Sequence, residues 1–390
     1  MKVAVRTEPI PGERRVATLP DVVPQLTKAG LTVTVEAGAG KHALATDDAY
    51  TDAGATVADV VQLSEVDVLL HVRPLSVDDV GELKPGTITF GLCSPSTEKD
   101  VVKALRDRRI TSFAMELVPR ISRAQSMDAL TSQALVAGYR CVLEAATRFP
   151  RFFPLFMTAA GTVPPAKVLV LGAGVAGLQA IATAKRLGAV VSAYDVRPAS
   201  ADEVRSMGAT FVTLDLESLA GAGGYAREMT EDRANRQREL LTPFIHAADV
   251  LITTAAVPGR QAPVLVTAGM LTGMKPGSVI VDLAAESGGN VEGSLAGQDV
   301  EIELAGSGAG SITLVGMKDA PSAMPADASR LYAKNILNLL LLMVKDGDLV
   351  PDFTDEVVAG ACLTHDGVIR HQPTADLLAE GLDDNGSGTR

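Results

Sequence analysis

Short apolar, β-branched runs recur along this chain, spaced so that one helix fits between each pair. Residues 1–6, Thr32–Glu36, 66–70, 87–91 and Thr111–Ala114 read as strands of a first unit. Residues 20–29, stopped by Gly30, and residues 97–106, with Val101, Val102 and Leu105 on one face, read as helices between them. The rhythm resumes with Lys167–Leu171 and Val190–Tyr194, then around Val212, at 250–254 and at 279–283. Strands alternating with helices imply parallel sheets, so the pattern predicts two α/β units. Two longer helical patterns fall outside the alternation. Residues 131–149, with Leu135, Gly138, Val142 and Ala145 along one side, are long enough to link domains. Residues 327–344 are apolar nearly all round at their end, which predicts burial between domains or in a dimer interface.

One stretch goes beyond pattern: AKVLVLGAGVAGLQAIATAKRLGAVVSAYDVR, residues 166–197. After the strand Lys167–Leu171 come Gly172, Gly174 and Gly177 in G-x-G-x-x-G spacing. A helix marked by Leu178, Ile181 and Ala182 follows, with Lys185 and Arg186 in its last turn and Gly188 as its stop. A second strand ends in Asp195, about 20 residues past the glycines, where a dinucleotide fold puts its ribose-binding acid. Gly172 makes the tight turn, Gly174 lets backbone approach the pyrophosphate, and Gly177 lets helix and strand pack closely. The helix N-terminus then offers N–H groups to the phosphates. A carboxylate at 195 favours NAD(H), since it pairs with a 2′-hydroxyl and repels a 2′-phosphate; Arg197 pulls the other way. The alternative for Asp195 is a cap on Ser200 or its neighbours. The expected fold class is therefore α/β, with two Rossmann-like parallel-sheet domains linked by long helices. Residues 1–130 with 346–390 form a partner domain without a glycine fingerprint, and residues 131–345 the nucleotide domain. The tail from Pro351 is expected to return to the first domain, and the closing NGSGTR to be disordered.

Charge and composition narrow the partners. A net charge of −12, with no basic cluster, disfavours nucleic acid and anionic membranes. Cys93, Cys141 and Cys362 stand far apart with no CxxC and no signal peptide, which predicts a reducing cytoplasm and no disulfide framework. The longest apolar run, 339–344, is too short to span a bilayer, so direct membrane insertion is not expected. The five histidines show no metal-ligand spacing, and no metal site is assigned. The GSGAG at 306–310 has no helical run after it and reads as a turn between strands.

Two polar stretches are candidates for chemistry. Residues 120–128, RISRAQSMD, hold two guanidiniums, an amide and a carboxylate, and suit a loop facing a cleft. They suit equally a helix start in which Asp128 caps, with Ser132 or Gln133 near the reciprocal position. Residues 220–237 put a glycine hinge before a highly charged segment whose large non-polar groups are Tyr225 and Met229. That is either a lid or a solvated surface loop.

The pieces MELVPRISRAQSMDALTSQ, AGTVPPAKVLVLGAGVAGLQ, YDVR, GGYAREM, DLAAESGGN and VGMKDAPSAMPADASRLYAKN resemble the NAD(H)-binding subunits of proton-translocating nicotinamide nucleotide transhydrogenases, over nearly the whole chain. The wider relatives are alanine dehydrogenases. The resemblance implies direct hydride transfer between NADH, bound here, and NADP⁺ on a partner subunit. It also implies membrane-spanning partner subunits, a homodimer, and a cytoplasmic place on the inner face of the plasma membrane, reached through those partners. Because the sequence ends before any membrane helix, it resembles the split form of such enzymes. By the same resemblance Arg120 and Asp128 position the nicotinamide, Gln125 reaches toward the partner's nucleotide, and Thr131 lies near the carboxamide. Tyr225 and Met229 belong to a mobile loop that closes over the nucleotide. The cofactor-binding set is then Gly172, Gly174, Val175, Ala176, Gly177, Asp195, Val196, Arg197, Tyr225, Met229 and Ala255. The rival activity, alanine oxidation, needs a carboxylate anchor and acid/base groups; His71, Arg73 and Arg14 or Arg15 are the residues on offer. A third possibility is an NADH-sensing module without catalysis.

Overall fold

In the computed structural model, residues 1–216, 231–256, 259–304 and 310–383 are described. They divide into two compact units, Met1–Gln133 with Ser322–Arg390, and Ala134–Pro321.

The first unit opens with β1 (Lys2–Val5), β2 (Thr32–Glu36), β3 (Thr56–Ala58), β4 (Val68–Leu70), β5 (Ile88–Gly91) and β6 (Thr111–Ala114), all paired in parallel in the order 3-2-1-4-5-6. Side chains alternate between two cores, as a sheet covered on both faces requires. Val3, Val5, Val68 and Leu70 enter one cluster, Ala4 and Leu69 the other. The helix expected at 20–29 is Val23–Lys28, because Pro24 is tolerated only in the first turn, where its missing N–H costs nothing.

The second unit carries a small hairpin, β7 (Phe156–Thr158) with β8 (Gly161–Val163). Its main sheet contains β9 (Lys167–Leu171), β10 (Val190–Tyr194), β11 (Thr210–Phe211), β12 (Val250–Thr253), β13 (Val279–Asp282), β14 (Asp299–Glu303) and β15 (Ser311–Gly316). The order is 11-10-9-12-13-15-14, parallel except for the antiparallel edge strand β14. Alternation again splits the strands, Val168 and Val170 to one core, Leu169 and Leu171 to the other. The turn expected at GSGAG joins β14 to β15, but 305–309 lie outside the described residues. The chain re-enters the first unit at Ser322 and later forms β16 (Val344–Lys345) and β17 (Asp348–Leu349). β18 (Cys362–His365) pairs antiparallel with β6, and β19 (Val368–Ile369) with β18.

Three expectations need correction. The helix assigned to the nucleotide domain is Pro325–Leu341 and belongs to the first unit: Tyr332, Ala333, Ile336, Leu337, Leu339 and Leu340 are buried in the core that holds Val3 and Val5. The boundary set at 345/346 therefore moves to 321/322, and that apolar face is spent on its own unit's core. Leu135, expected on one side of the long helix with Gly138, Val142 and Ala145, parts from them in helix Ala129–Arg148: it is 42% exposed, whereas Val142 and Ala145 are fully buried. The charged segment 220–237 is not loop throughout, because a helix Glu231–Ala247 begins within it, burying Gln237, Leu241 and Ile245 at spacings of four.

Among the described residues no helix is long and apolar enough to cross a membrane. The three cysteines are free and buried, and burial pushes the thiols of Cys141 and Cys362 up to about 12.

Candidate dinucleotide-binding site

Strand register builds the candidate site in the second unit. Leu171 pairs with Tyr194 on one side and Thr253 on the other, so Gly172, Asp195 and Thr254 leave the sheet together at its carboxyl edge. In an open parallel sheet that edge, where the strand order reverses, is where ligands bind. Gly172 has φ +100, a backbone conformation that disfavours a side chain, and a Cβ there would stand 2.7 Å from Thr254 Oγ1. The Thr254 hydroxyl donates to Gly172 O (3.0 Å) and clamps the turn. A Cβ on Gly177 would run into the Gly172 carbonyl, so this glycine is what lets helix Val175–Arg186 lie against β9. A Cβ on Gly174 would meet nothing within 4 Å. It stands as the helix cap with no side-chain acceptor, so the first-turn N–H groups at Val175 and Ala176 receive no capping oxygen. Val175 is 38% exposed. Uncapped N–H groups at an open helix start fit a pyrophosphate.

Asp195 does not cap Ser200, whose N–H donates to the Arg197 carbonyl (3.2 Å). Its Oδ2 accepts from Ala173 N–H (2.8 Å) and Arg197 Nη2 (2.9 Å), its Oδ1 from the Arg197 backbone N–H (2.8 Å) and Nε (2.9 Å). Val196 turns partly into the neighbouring core.

Two positioning groups were missed from sequence. Asn290, fully buried, accepts from Ala255 N–H (2.9 Å) and donates from Nδ2 to Ala255 O (2.7 Å) and Pro263 O (2.9 Å). It is held in turn by Asp282, which accepts from Asn290 N–H, Val291 N–H, Ala284 N–H and the Thr253 hydroxyl. Both lie in the DLAAESGGN run, yet nothing in its pattern points 35 residues back to Ala255. The second is Gly138: a Cβ there would strike the Ala176 carbonyl, so the long helix can cross the glycine helix only at a residue without a side chain. Tyr225 and Met229 lie outside the described residues.

In the first unit, the polar loop 120–128 forms a 3₁₀ segment, Ser122–Met127. Ala124 and Met127 are buried, Arg123 pairs with Asp355 (2.6 Å) and Glu356 (3.3 Å), and Asn335 and Asn338 donate to Ser126 O. Arg120 and Gln125 are exposed. Asp128 caps the long helix, as one of its two readings expected: it accepts Thr131 N–H (2.8 Å) and the Thr131 hydroxyl (2.7 Å). The partner in the cap is therefore Thr131, not Ser132 or Gln133. A capping carboxylate on a rigid helix is also a fixed one, so the cap does not exclude a role toward a ligand.

After β1, where the second unit has its glycine turn, the first unit carries charged side chains bonded to neighbouring backbone and to each other. Glu8 accepts from Val72 and Arg73 N–H (2.6 and 3.1 Å), and Arg6 pairs with Asp79 (2.6 Å). Desolvation raises the Glu8 carboxyl to about 7. Of the residues offered for alanine oxidation, Arg14 is exposed, whereas Arg15 and His71 are held in the interior. Arg15 is buried and bound to Glu13 (2.7 Å) and Gln133 (2.9 Å). His71 is 2% exposed, sits on Arg73 O, and is pushed by burial down to about 4.

Two doubly wound units, one with an uncapped glycine turn and an acid ending the next strand, define a dinucleotide-type α/β protein. The chain belongs to the alanine dehydrogenase/PNT family: the N-terminal domain of that family matches residues 4–137 and the C-terminal domain 141–372. It is 50% identical over 383 residues to the first part of NAD(P) transhydrogenase subunit alpha of Rhodospirillum rubrum, covering 95% of this chain and 98% of that one. The structure of a transhydrogenase from Sinorhizobium meliloti matches with TM-score 0.83 at 42% identity, over 96% of this chain and 100% of the other. Alanine dehydrogenase of Mycobacterium tuberculosis is more distant, 33% identical over 300 residues and 75% of each chain. Within the family the chain groups with the transhydrogenase alpha subunits.

Proposed function

We propose that this chain is the NAD(H)-binding subunit of a proton-translocating transhydrogenase. It would bind NAD(H) at the glycine turn and exchange hydride with NADP(H) bound on a partner subunit. The observation that carries the reading is the open, uncapped start of helix Val175–Arg186, framed by three glycines of which two are enforced by neighbouring backbone or by positive φ. Gly172, Gly174, Val175, Ala176 and Gly177 receive the pyrophosphate; Asp195, Val196, Arg197 and Ala255 receive the adenosine side. Arg120, Asp128 and Thr131 orient the nicotinamide, and Gln125 reaches toward the second nucleotide. Tyr225 and Met229 close over it.

Hydride moves between two nicotinamide rings without a proton for a side chain to take, so the protein need supply only alignment and exclusion of water. Arg15 is tied to Glu13 and His71 is buried, so two of the residues offered for alanine oxidation are poorly placed as anchor and base, which supports this reading over its rival. The chain works as a homodimer, with membrane-spanning and NADP(H)-binding subunits that bring it to the inner face of the plasma membrane.

The test is reconstitution. Hydride transfer from NADH to an NADP⁺ analogue should appear when an NADP(H)-binding partner is added, and not before. Alanine-dependent NADH production would establish the rival instead. NADH binding with neither activity would leave a sensor.

A further inference from the structure

Asp195 is fully committed without a nucleotide. A carboxylate offers about four lone-pair directions. Here two are taken by backbone N–H groups, of Ala173 and Arg197, and two by the Arg197 guanidinium through Nε and Nη2, all at 2.8–2.9 Å. The acid's side chain is 7% exposed and that of Arg197 27%, so the guanidinium lies on the more open side of the pair. The backbone donors are fixed by the glycine turn and the strand end. The guanidinium donors sit on a side chain that can rotate, so of the four donors they are the ones a ligand can displace.

We infer that Arg197 is a specificity-determining residue, which occupies the ribose acid in the free chain and sets how far a 2′-phosphate is tolerated there. This rests on the reading that the glycine turn binds NAD(H). A 2′-hydroxyl can donate to Asp195 only when the guanidinium turns away, so NADH binding is an exchange of one charge-assisted pair for ribose hydrogen bonds. A 2′-phosphate is repelled by a bare carboxylate but accepted beside one that a guanidinium neutralises, and that guanidinium is itself a bidentate phosphate partner. The pair therefore weakens the grip on NADH and softens the exclusion of NADPH.

Two substitutions separate these effects. Arg197→Ala keeps the residue 197 N–H and the Ala173 N–H on the carboxylate, frees two acceptor directions and removes the neutralising charge. NADH should bind more tightly and NADPH more weakly, so that the preference for NADH rises about tenfold, the size of one charged hydrogen bond. Asp195→Ala releases Arg197 for phosphate, and the preference should fall below that of the wild type. Arg197→Lys keeps the charge but not the fork, and should lie between wild type and Arg197→Ala. The measurement is calorimetric titration of the full chain with NADH and with NADPH, beside a melting curve for each variant. NADH binding with a preference unchanged within about twofold in both Arg197 variants overturns this inference alone. A wild-type chain that does not bind NADH overturns the functional reading and this inference with it.

Discussion

Replacing Asn290 by alanine isolates the clamp on the third loop of the candidate site. Three hydrogen bonds disappear, to Ala255 N–H, Ala255 O and Pro263 O, and the side chain that made them is fully buried. Each orphaned buried group costs about 1–3 kcal/mol. Ala255 is only half-buried, so water re-enters part of the gap and the sum settles near the lower end, about 3 kcal/mol in all. For a unit of this size, at about 2–4 °C per kcal/mol, the melting temperature should fall by roughly 6–12 °C. Differential scanning calorimetry reads this directly, and NADH titration reads the consequence for the loop. Asn290→Asp keeps an acceptor for Ala255 N–H but turns two donor bonds into oxygen facing oxygen, so it should be at least as damaging at neutral pH. A melting shift below about 2 °C in Asn290→Ala, with NADH affinity unchanged, would refute the claim that this side chain holds the loop.

Glycine to alanine inside an exposed helix ordinarily stabilises by up to about 1 kcal/mol; at Gly138 the sign should reverse, because the new methyl meets the Ala176 carbonyl, and both melting temperature and NADH affinity should drop. Glu8 titrates near 7 when folded and near 4.5 when unfolded, so over that interval the unfolded chain has lost a proton the native one keeps. Stability should therefore fall by on the order of 2–3 kcal/mol as pH rises from 4.5 to 7, and Glu8→Gln should flatten that slope in urea titrations at stepped pH. Gln125→Asn should slow hydride transfer in the reconstituted enzyme far more than it weakens NADH binding; equal losses in stopped-flow and titration would reject its assigned role. Arg123→Ala unties an exposed, solvent-screened pair and should leave the midpoint of chemical denaturation nearly unchanged.

The glycine turn was legible in the sequence because each of its constraints is local: a positive φ at Gly172, an approach to Gly172 O at Gly177, a strand length that brings Asp195 alongside. Its supports were not. Asn290 and Gly138 act through contacts that only the folded sheet creates. The helix Pro325–Leu341 shows the same limit, since an apolar surface on every side announces burial without saying against which core. Helix Glu231–Ala247 escaped because its buried stripe is narrow, three positions among many charges. The polar loop gave its cap to inspection but not its anchors, because Asp355, Asn335 and Asn338 come from more than 200 residues further on.

The first unit is interrupted by the second, and this bears on how the chain is made. β6 acquires its antiparallel neighbour β18 only at Cys362, and the helix that fills the core beneath the same sheet begins at Pro325. At about 5–20 residues per second, a ribosome needs on the order of 10–50 s to add the roughly 250 residues that separate Ala114 from Cys362. During that time the amino-terminal sheet has an open edge and an uncovered apolar face, which are features that invite wrong pairing. The later-synthesised nucleotide unit, contiguous from Ala134 to Pro321, has all its strands first. Birth order and completion order are thus reversed in this polypeptide, and chaperone dependence should concentrate on the stretch up to Gln133.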